Sequence, residues 1–323
     1  MNTASADTVH PGLPPLTRNP LKARLYSQET YFRESYADLS TRLGGDTAPA
    51  LLRHALAVVK PDGWALGVAA TVLDFFLEHG FEVVDVRPVT FSPAAWRTMW
   101  TYQMTQASLD RLMVNDLVIR GQGVALLLRG PADDPLPAAV RLSDLKGPAR
   151  AEAQREDCLR RVISQPNRIF SLVHSADEPA DLVRELGILF ARSQRREMAA
   201  AMAGDAPSPS TRDWVGRIRE NGLRPPRTYD RSASLKRVLS TATARLTDSP
   251  LPAPVSEALA VAVEALRAGG RTSAAAALDA FADAGVQVSA WDLAAALSEV
   301  IEADVPDGSK ILENFGVAAW EVS

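Results

Sequence analysis

The sequence contains a single cysteine, Cys158, in 323 residues. One thiol excludes both an intrachain disulfide and a cysteine-based zinc site. The amino terminus also lacks the charged start and the apolar stretch of a secretory signal. These absences predict a protein of a reducing compartment, and we expect it to be cytoplasmic.

Long apolar runs are missing as well. The longest, residues 67–77 and 255–266, carry charged side chains or are too short to cross a bilayer, so we expect no membrane partner. The net charge of −4 gives no overall basic field, which argues against nucleic acid as a partner. Neither a Gly-x-x-x-x-Gly-Lys-Ser/Thr loop nor a Gly-x-Gly-x-x-Gly motif occurs, so any nucleotide site must be of another kind.

What is present is the composition of a folded soluble protein, with 46% hydrophobic and 23% charged residues. The length predicts more than one compact unit. A proline- and serine-rich stretch at residues 204–210 marks a boundary, and a fragment ending near Arg196 should fold alone because few contacts are expected across such a linker. The predicted units are an N-terminal extension, a compact domain, a linker with a basic arm, and a helical accessory domain: residues 1–50, 51–196, 197–249 and 250–323.

The last two units differ in charge. The basic arm, residues 212–246, is either solvated or in contact with phosphate or an acidic surface, and both interpretations remain open. The accessory domain is acidic and alanine-rich, with helices predicted at 255–267, 272–283 and 290–302 and a strand at 317–322. Three helices and a strand faintly suggest a winged helix. The acidic balance favours a helical assembly module over a DNA-binding regulator.

The compact domain alternates short apolar runs with helical periodicities. Strands are predicted at 55–59, 81–90, 123–128 and 169–173, and helices at 68–79, 94–104, 108–118, 136–145 and 178–190. This order predicts an α+β sandwich of the ferredoxin-like type, with the third strand central. A further helix at 26–43 is expected to pack on it from the N-terminal extension.

Two ordered motifs carry the chemistry. The first is Val58-Val59-Lys60-Pro61-Asp62-Gly63 with Gly67 downstream, and the second is Ser171-Leu172-Val173-His174-Ser175-Ala176-Asp177. A histidine offers a neutral imidazole nitrogen that can accept a phosphoryl group and pass it on. The first motif resembles the opening strand and Lys-Pro-Asp turn of the nucleoside diphosphate kinase family, and the second resembles its Asn-x-x-His-Gly-Ser-Asp motif. Residues 54–190 therefore resemble a nucleoside diphosphate kinase domain, in a divergent member with N- and C-terminal extensions.

The resemblance implies a phosphotransferase. The γ-phosphoryl group of a nucleoside triphosphate would pass with Mg²⁺ through phosphohistidine to a nucleoside diphosphate or to a specialised small-molecule or protein acceptor. By position, His174 is the phosphorylated histidine and Glu185 orients it. Lys60 is the third expected catalytic residue. The residues that would bind substrate phosphate are Lys60, Tyr102, Arg141, Arg161 and Ser171. A homo-oligomer is a further expected partner.

Other interpretations of these residues stay open. Arg141 and Arg161 belong to an arginine-rich stretch that is equally typical of a solvated surface, and Tyr102 follows two tryptophans that suggest core packing. Where the family has a serine, Ala176 lacks the hydroxyl that would help hold the glutamate. Asp110 and Arg168 fall where the family sandwiches the base, so the base slot looks dismantled. The alternative function is therefore a catalytically weak or inactive binding or scaffold protein of the same family.

Overall fold

The computed structural model describes residues 9–204, 206–223, 226–248 and 250–321. Within them, four strands form one antiparallel sheet: β1 (His54–Val59), β2 (Glu82–Thr90), β3 (Gln122–Arg129) and β4 (Val173–Ser175). Their spatial order is β2-β3-β1-β4. With helices between β1 and β2 and between β3 and β4, this is the ferredoxin-like arrangement. The predicted fold class and the central position of the third strand are confirmed.

Helices surround the sheet on both faces. They are α1 (Pro20–Gln28), α2 (Thr30–Leu43), α3 (Thr47–Arg53), α4 (Pro61–Ala65), α5 (Ala69–Glu78), α6 (Pro93–Met99), α7 (Leu109–Val118), α8 (Ala138–Lys146), α9 (Leu159–Val162), α10 (Pro179–Leu189), α11 (Arg192–Met202), α12 (Pro209–Leu223), α13 (Arg231–Asp248), α14 (Ala253–Ala268), α15 (Ala274–Asp283) and α16 (Ala290–Leu297). The helix predicted at 26–43 is thus divided into α1 and α2, which meet at Glu29.

Strand β1 is buried on both faces, which explains its continuous apolar sequence. Ala57 and Val59 belong to a hydrophobic cluster with α5, whereas Leu56 and Val58 belong to a second cluster with α2 and α10. Because side chains alternate along a strand, each cluster takes every second residue. The central strands are therefore fixed in register, and the chemistry must lie at their ends.

Local signals set where α6 and α7 begin. The hydroxyl of Ser92 accepts a hydrogen bond from the backbone N–H of Ala95 over 3.0 Å, with Pro93 in the first turn. Ser108 caps α7 in the same way, accepting from the N–H of Arg111 over 3.0 Å. Such caps satisfy backbone donors that the helix leaves free. Helix α6 ends at Met99, earlier than the predicted residue 104.

The linker and basic arm form helices α12 and α13 rather than an extended or merely solvated segment. Ile218 of α12 and Val238 of α13 are fully buried in the same cluster as Val72 of α5. Thr211 donates a hydrogen bond to Asp85 of β2 over 2.6 Å. A fragment ending near Arg196 was expected to fold alone because few contacts would cross the boundary. The structure shows many buried contacts across it, so this reason does not hold. Arg224 of the basic arm lies outside the described residues.

After α16, residues 302–321 form a segment that we call the tail strap. Its first part runs beside the α6–α7 loop: the N–H of Val305 donates to the carbonyl of Gln106 over 2.7 Å, and that of Ile311 to the carbonyl of Tyr102 over 2.9 Å. Its end packs Trp320 against α8. The strand predicted at 317–322 is instead a short 3₁₀ turn at Val317–Ala319, and Val322 lies outside the described residues.

No helix in the described ranges combines the length and apolar character needed to span a membrane.

Candidate active site

The turn after β1 fixes the backbone that carries His174. The N–H of Lys60 donates to the carbonyl of Leu172 over 2.9 Å, and a carboxylate oxygen of Asp62 accepts from the N–H of Leu172 over 3.1 Å. A Cβ at Gly63 would stand 2.5 Å from the same carbonyl, so only glycine fits. The Lys-Pro-Asp-Gly motif thus clamps the chain just before β4.

Leu172 itself adopts φ +55°, a conformation that non-glycine residues rarely occupy. The N–H of Val173 bonds to the carbonyl of Ser171 over 2.6 Å, closing a three-residue turn. This turn keeps residues 169–172 out of the sheet, which is why the fourth strand begins at Val173 rather than at the predicted 169. Strand β4 then pairs His174 with Val58 of β1.

Two hydrogen bonds hold the imidazole of His174. Nε2 lies 2.8 Å from a carboxylate oxygen of Glu185 on α10, and the indole Nε1–H of Trp100 donates to Nδ1 over 3.2 Å. A carboxylate accepts and an indole N–H donates, so this pair of partners assigns the proton to Nε2 and a lone pair to Nδ1. Nδ1 is therefore the unprotonated nitrogen of this imidazole.

Glu185 is incompletely satisfied. Its second carboxylate oxygen, Oε2, is buried and has no hydrogen-bond partner among the described residues. Ala176, two residues after His174, is fully buried and contributes no hydroxyl.

His174 lines a cavity of about 700 Å³. Its wall is formed by α6, the start of α7, α8, the loop from 147 to 160 and the tail strap. Basic side chains predominate among the described residues that line it: Arg111, Lys146, Arg150, Arg155, Arg160, Arg168 and Lys310. The acidic ones are Asp144, Asp177, Asp181, Glu185 and Glu313. Such a wall suits an anion next to the nucleophile.

Several of these cations are buried. Arg160 donates to the carbonyls of Gly147 and Val173 over 2.8 and 3.2 Å, and burial lowers its pKa to about 10. Lys146 donates to the hydroxyl of Ser175 over 2.6 Å, and burial lowers its pKa as well. Desolvation disfavours the charged form of both groups, so an anion in the cavity would stabilise them.

Comparison with known proteins relates part of the chain to one family. A model of the family described as nucleoside diphosphate kinase matches residues 53–195. This segment, which we call the family segment, is therefore similar to the nucleoside diphosphate kinase family. The similarity is distant: the chain is 23% identical over 141 residues to the nucleoside diphosphate kinase of Aquifex aeolicus, and the match covers 43% of this chain and 94% of that protein. The N-terminal extension and the helices from α12 onward lie outside the family segment.

A second relative is larger. The thioredoxin domain-containing protein 3 homolog of Heliocidaris crassispina is 22% identical over 184 residues, 56% of this chain, and the chain spans only 21% of that protein's length. Among solved structures, the Aquifex aeolicus nucleoside diphosphate kinase matches with TM-score 0.36 and 20% identity, covering 43% of this chain and 95% of its own. An NDP kinase from Pyrobaculum aerophilum matches with TM-score 0.33 and 18% identity, over 44% and 97%.

The structure brings His174 and Glu185 together at the cavity, but the other predicted site residues do not line it. Lys60 is buried, with Nζ 3.3 Å from a carboxylate oxygen of Asp62. Burial lowers the pKa of Lys60, and the charges of Arg160 and Arg111 contribute to the same direction. Ser171 lies in the turn before β4 and does not line the cavity.

Tyr102, Arg141 and Arg161 point elsewhere. The hydroxyl of Tyr102 donates to Glu29 over 2.6 Å, Arg141 pairs with Asp134, and Arg161 is exposed and pairs with Glu156 over 3.0 Å. In the helical turn α9 adjacent residues project in different directions, so Arg160, not Arg161, faces the cavity. The expectation that these three side chains contact phosphate therefore has no support from their placement.

Sequence reasoning also missed residues that do reach the site. The sequence predicts that Trp100 packs in the aromatic core, and Lys146 at the end of α8 belongs to no motif, yet both line the cavity. Arg160 stood beside the expected Arg161, and only the local helix geometry distinguishes the two. Arg111 follows Asp110 on α7, far from either motif, so no spacing rule connects it to His174.

The positions expected to sandwich a base are occupied by the chain itself. A carboxylate oxygen of Asp110 accepts from the hydroxyl of Ser273 and from the N–H of Ala275, over 3.3 and 3.2 Å, at the start of α15. Arg168 is paired with Asp304 of the tail strap over 2.7 Å. Helix α7 packs against α15 and α16. The C-terminal helices thus cover the region where the family segment was expected to hold a base.

The donor set restricts how a metal ion would be held. No group of three or more His, Cys, Asp or Glu side chains able to bind a metal occurs within the described ranges. Asp177 in the cavity is already bonded to Ser143 over 2.7 Å and to Lys146 over 3.3 Å. Although burial opposes it, these partners hold the pKa of Asp177 well below its usual range. A Mg²⁺ ion at this cavity would therefore have to be held chiefly by phosphate and water, which is common for this ion.

Proposed function

We propose that the chain is a phosphotransferase that carries the γ-phosphoryl group of a nucleoside triphosphate on Nδ1 of His174. The observation that carries this proposal is the pair of hydrogen bonds on the imidazole, from Nε2 to Glu185 over 2.8 Å and from Trp100 to Nδ1 over 3.2 Å, at the wall of a basic cavity. That arrangement keeps a lone pair on the nitrogen that faces the ligand. Similarity to the nucleoside diphosphate kinase family supports the same chemistry.

The transfer has two halves. In the first, Nδ1 attacks the γ-phosphorus, an N–P bond forms, and the P–O bond to the leaving nucleoside diphosphate breaks. The ring then carries positive charge, which the carboxylate of Glu185 stabilises through the Nε2 proton. In the second half, an acceptor oxygen attacks phosphorus and the lone pair returns to Nδ1. The acceptor is a nucleoside diphosphate or a specialised molecule.

The cavity cations stabilise charge on the transferred group. Arg160 and Lys146 support this role best because both are buried at the wall that holds His174. Lys60 does not line the cavity and would act through its charge from a buried position. Preorganised donors of this kind are the main source of catalysis in phosphoryl transfer, and Mg²⁺ on the phosphate oxygens would neutralise further charge.

Labelling with γ-³²P-ATP and Mg²⁺ tests the proposal. We expect acid-labile, base-stable label on the wild-type chain and none on His174→Ala, because such label is typical of phosphohistidine and the motif contains no second histidine. His79→Ala is the matched control, since His79 is an exposed histidine at the end of α5. Label that persists in His174→Ala would refute this mechanism.

A second function, a catalytically weak or inactive binding module, has one observation in its favour. Nδ1 already accepts a hydrogen bond from Trp100, and the tail strap forms part of the cavity wall. The same labelling experiment separates the two functions. Nucleotide binding without any label on His174 would identify the binding module, whereas label that a nucleoside diphosphate removes would identify the enzyme.

A further inference from the structure

Two cavity arginines from distant parts of the chain share one carboxylate. Arg111 of α7 donates to Asp304 over 2.6 Å, and Arg168, from the loop before β4, donates to the other oxygen of Asp304 over 2.7 Å and to the first over 3.3 Å. Both arginines line the cavity that contains His174. Asp304 belongs to the tail strap, which lies outside the family segment.

This arrangement leaves positive charge uncompensated. Two guanidinium groups face a single carboxylate, and Nε of Arg111 is buried with no hydrogen-bond partner in the described part of the chain. Arg111 is only 8% exposed. Burial, and then the charge of Arg168, lower the pKa of Arg111. A phosphate dianion would supply a second negative charge and a third acceptor oxygen, which is what this pair lacks.

The backbone of the tail strap holds independently of that carboxylate. The N–H of Ser108 donates to the carbonyl of Ala303 over 3.2 Å, and that of Val305 to the carbonyl of Gln106 over 2.7 Å. Asp304 thus sits between two backbone hydrogen bonds that do not involve its side chain. Its carboxylate can leave the arginines by a rotamer change while the strap stays in place.

We propose that Arg111 and Arg168 form a phosphate subsite of the cavity, which the carboxylate of Asp304 occupies in the structure. The subsite takes a phosphate group of the ligand other than the one that reacts with His174, so it selects a ligand with at least two phosphate groups. That this ligand is the phosphoryl donor or acceptor rests on the proposed function, but binding at the subsite does not require His174 to react.

Titration calorimetry with inorganic pyrophosphate tests the subsite on the full chain. Asp304→Asn removes the competing charge and keeps the side-chain shape, and we expect it to tighten binding by about tenfold. Arg168→Gln should weaken binding by about tenfold, because one of the two forks is lost. Asp292→Asn is the matched control: Asp292 pairs with Arg237 in the same C-terminal region but does not line the cavity, so binding should stay unchanged.

The outcomes separate the alternatives. Unchanged or weaker pyrophosphate binding in Asp304→Asn, with thermal unfolding like that of the wild type, would refute the proposal that Asp304 and phosphate compete for the two arginines. If Asp304→Asn does not fold, Arg168→Gln still decides, because unaltered binding there would also overturn the subsite. Equal binding of malonate and pyrophosphate by the wild type would show a general carboxylate site and contradict the phosphate assignment. Failure of His174 labelling alone would refute only the proposed function.

Discussion

Trp100 and His174 are joined by a hydrogen bond on Nδ1, the unprotonated nitrogen of the imidazole. The indole Nε1–H donates to Nδ1 over 3.2 Å, and the two rings meet edge to face with centroids 5.2 Å apart. The bond orients the imidazole but also engages the lone pair that attacks phosphorus in the proposed mechanism. On that mechanism, Trp100 has to release Nδ1, or redirect its N–H to a phosphoryl oxygen, before an N–P bond can form.

Replacing this indole tests whether the hydrogen bond mainly orients the imidazole or mainly blocks the lone pair on Nδ1. Trp100→Phe keeps an aromatic ring beside Phe91 and Trp96 but removes the N–H. We expect initial labelling of His174 by γ-³²P-ATP to rise by about threefold to tenfold, the range that corresponds to one lost neutral hydrogen bond. Trp96→Phe is the control, because the N–H of Trp96 bonds to Asp116 instead. Slower labelling in Trp100→Phe would mean that the indole stabilises the phosphoryl group.

Arg160 and Arg161 provide a matched pair on adjacent residues. Arg160 is buried at the cavity wall, whereas Arg161 is exposed and pairs with Glu156. We expect Arg160→Gln to lower the labelling rate by roughly a hundredfold or more, as loss of one preorganised donor typically does. Arg161→Gln should change it by less than about threefold, since exposed ion pairs contribute little.

Arg160 also supports carbonyls of Gly147 and Val173, so folding must be checked. Arg160→Lys keeps the charge and should recover part of the rate. Circular dichroism and thermal unfolding of each variant distinguish a lost phosphate contact from a collapsed wall. Equal effects of Arg160→Gln and Arg161→Gln would contradict the placement of these side chains.

Much of the fold follows from local sequence rules. The continuous apolar runs of β1 and β3 predict strands buried on both faces, and Ser92-Pro93 predicts the start of α6. The contact between His174 and Glu185 also follows from the sequence. The resemblance implies a strand that carries His174 followed by a helix that carries Glu185, and β4 and α10 have this order. These are short-range or motif-based signals, and they hold wherever neighbouring residues determine the conformation.

Other features depend on contacts that no local rule encodes. The left-handed turn at Leu172 is held by Asp62, 110 residues away, so the start of β4 could not be placed from its own residues. The helical state of the basic arm depends on burying Ile218 against α5. Asp304 forms ion pairs with both Arg111 and Arg168, and the three residues come from three distant segments of the chain. No pattern in a single sequence predicts such long-range pairs.

Removal of the C-terminal region gives a further prediction. A fragment ending at Arg196 loses α12, whose Ile218 is fully buried against the family segment and whose Trp214 contacts Trp64 edge to face at 6.4 Å. We expect this fragment to be poorly soluble and to bind a hydrophobic dye, because the apolar surfaces of α5 and β2 become exposed. A soluble fragment with the cooperative unfolding of the full chain would show that α12 is dispensable.

The last prediction concerns pH and His54, the first residue of β1. His54 is fully buried; its Nδ1 lies 2.6 Å from the carbonyl of Ala50, and Nε2 has no partner among the described residues. Burial, with smaller contributions from Arg129 and Arg53, lowers the pKa of His54 from 6.5 to about 4. Between these values the unfolded chain binds a proton that the folded chain does not.

His54 therefore contributes stability that is present above about pH 6.5 and is lost as pH falls toward 4. From pH 7 to pH 5 this loss amounts to about 2 kcal/mol in the free energy of unfolding. His54→Asn retains a donor toward Ala50 but cannot titrate, so its stability should fall correspondingly less over that interval. Urea unfolding of both chains at pH 7 and pH 5 measures the difference, with the exposed His79→Asn as control. The same pH dependence in His54→Asn and the wild type would show that other groups cause the acid sensitivity.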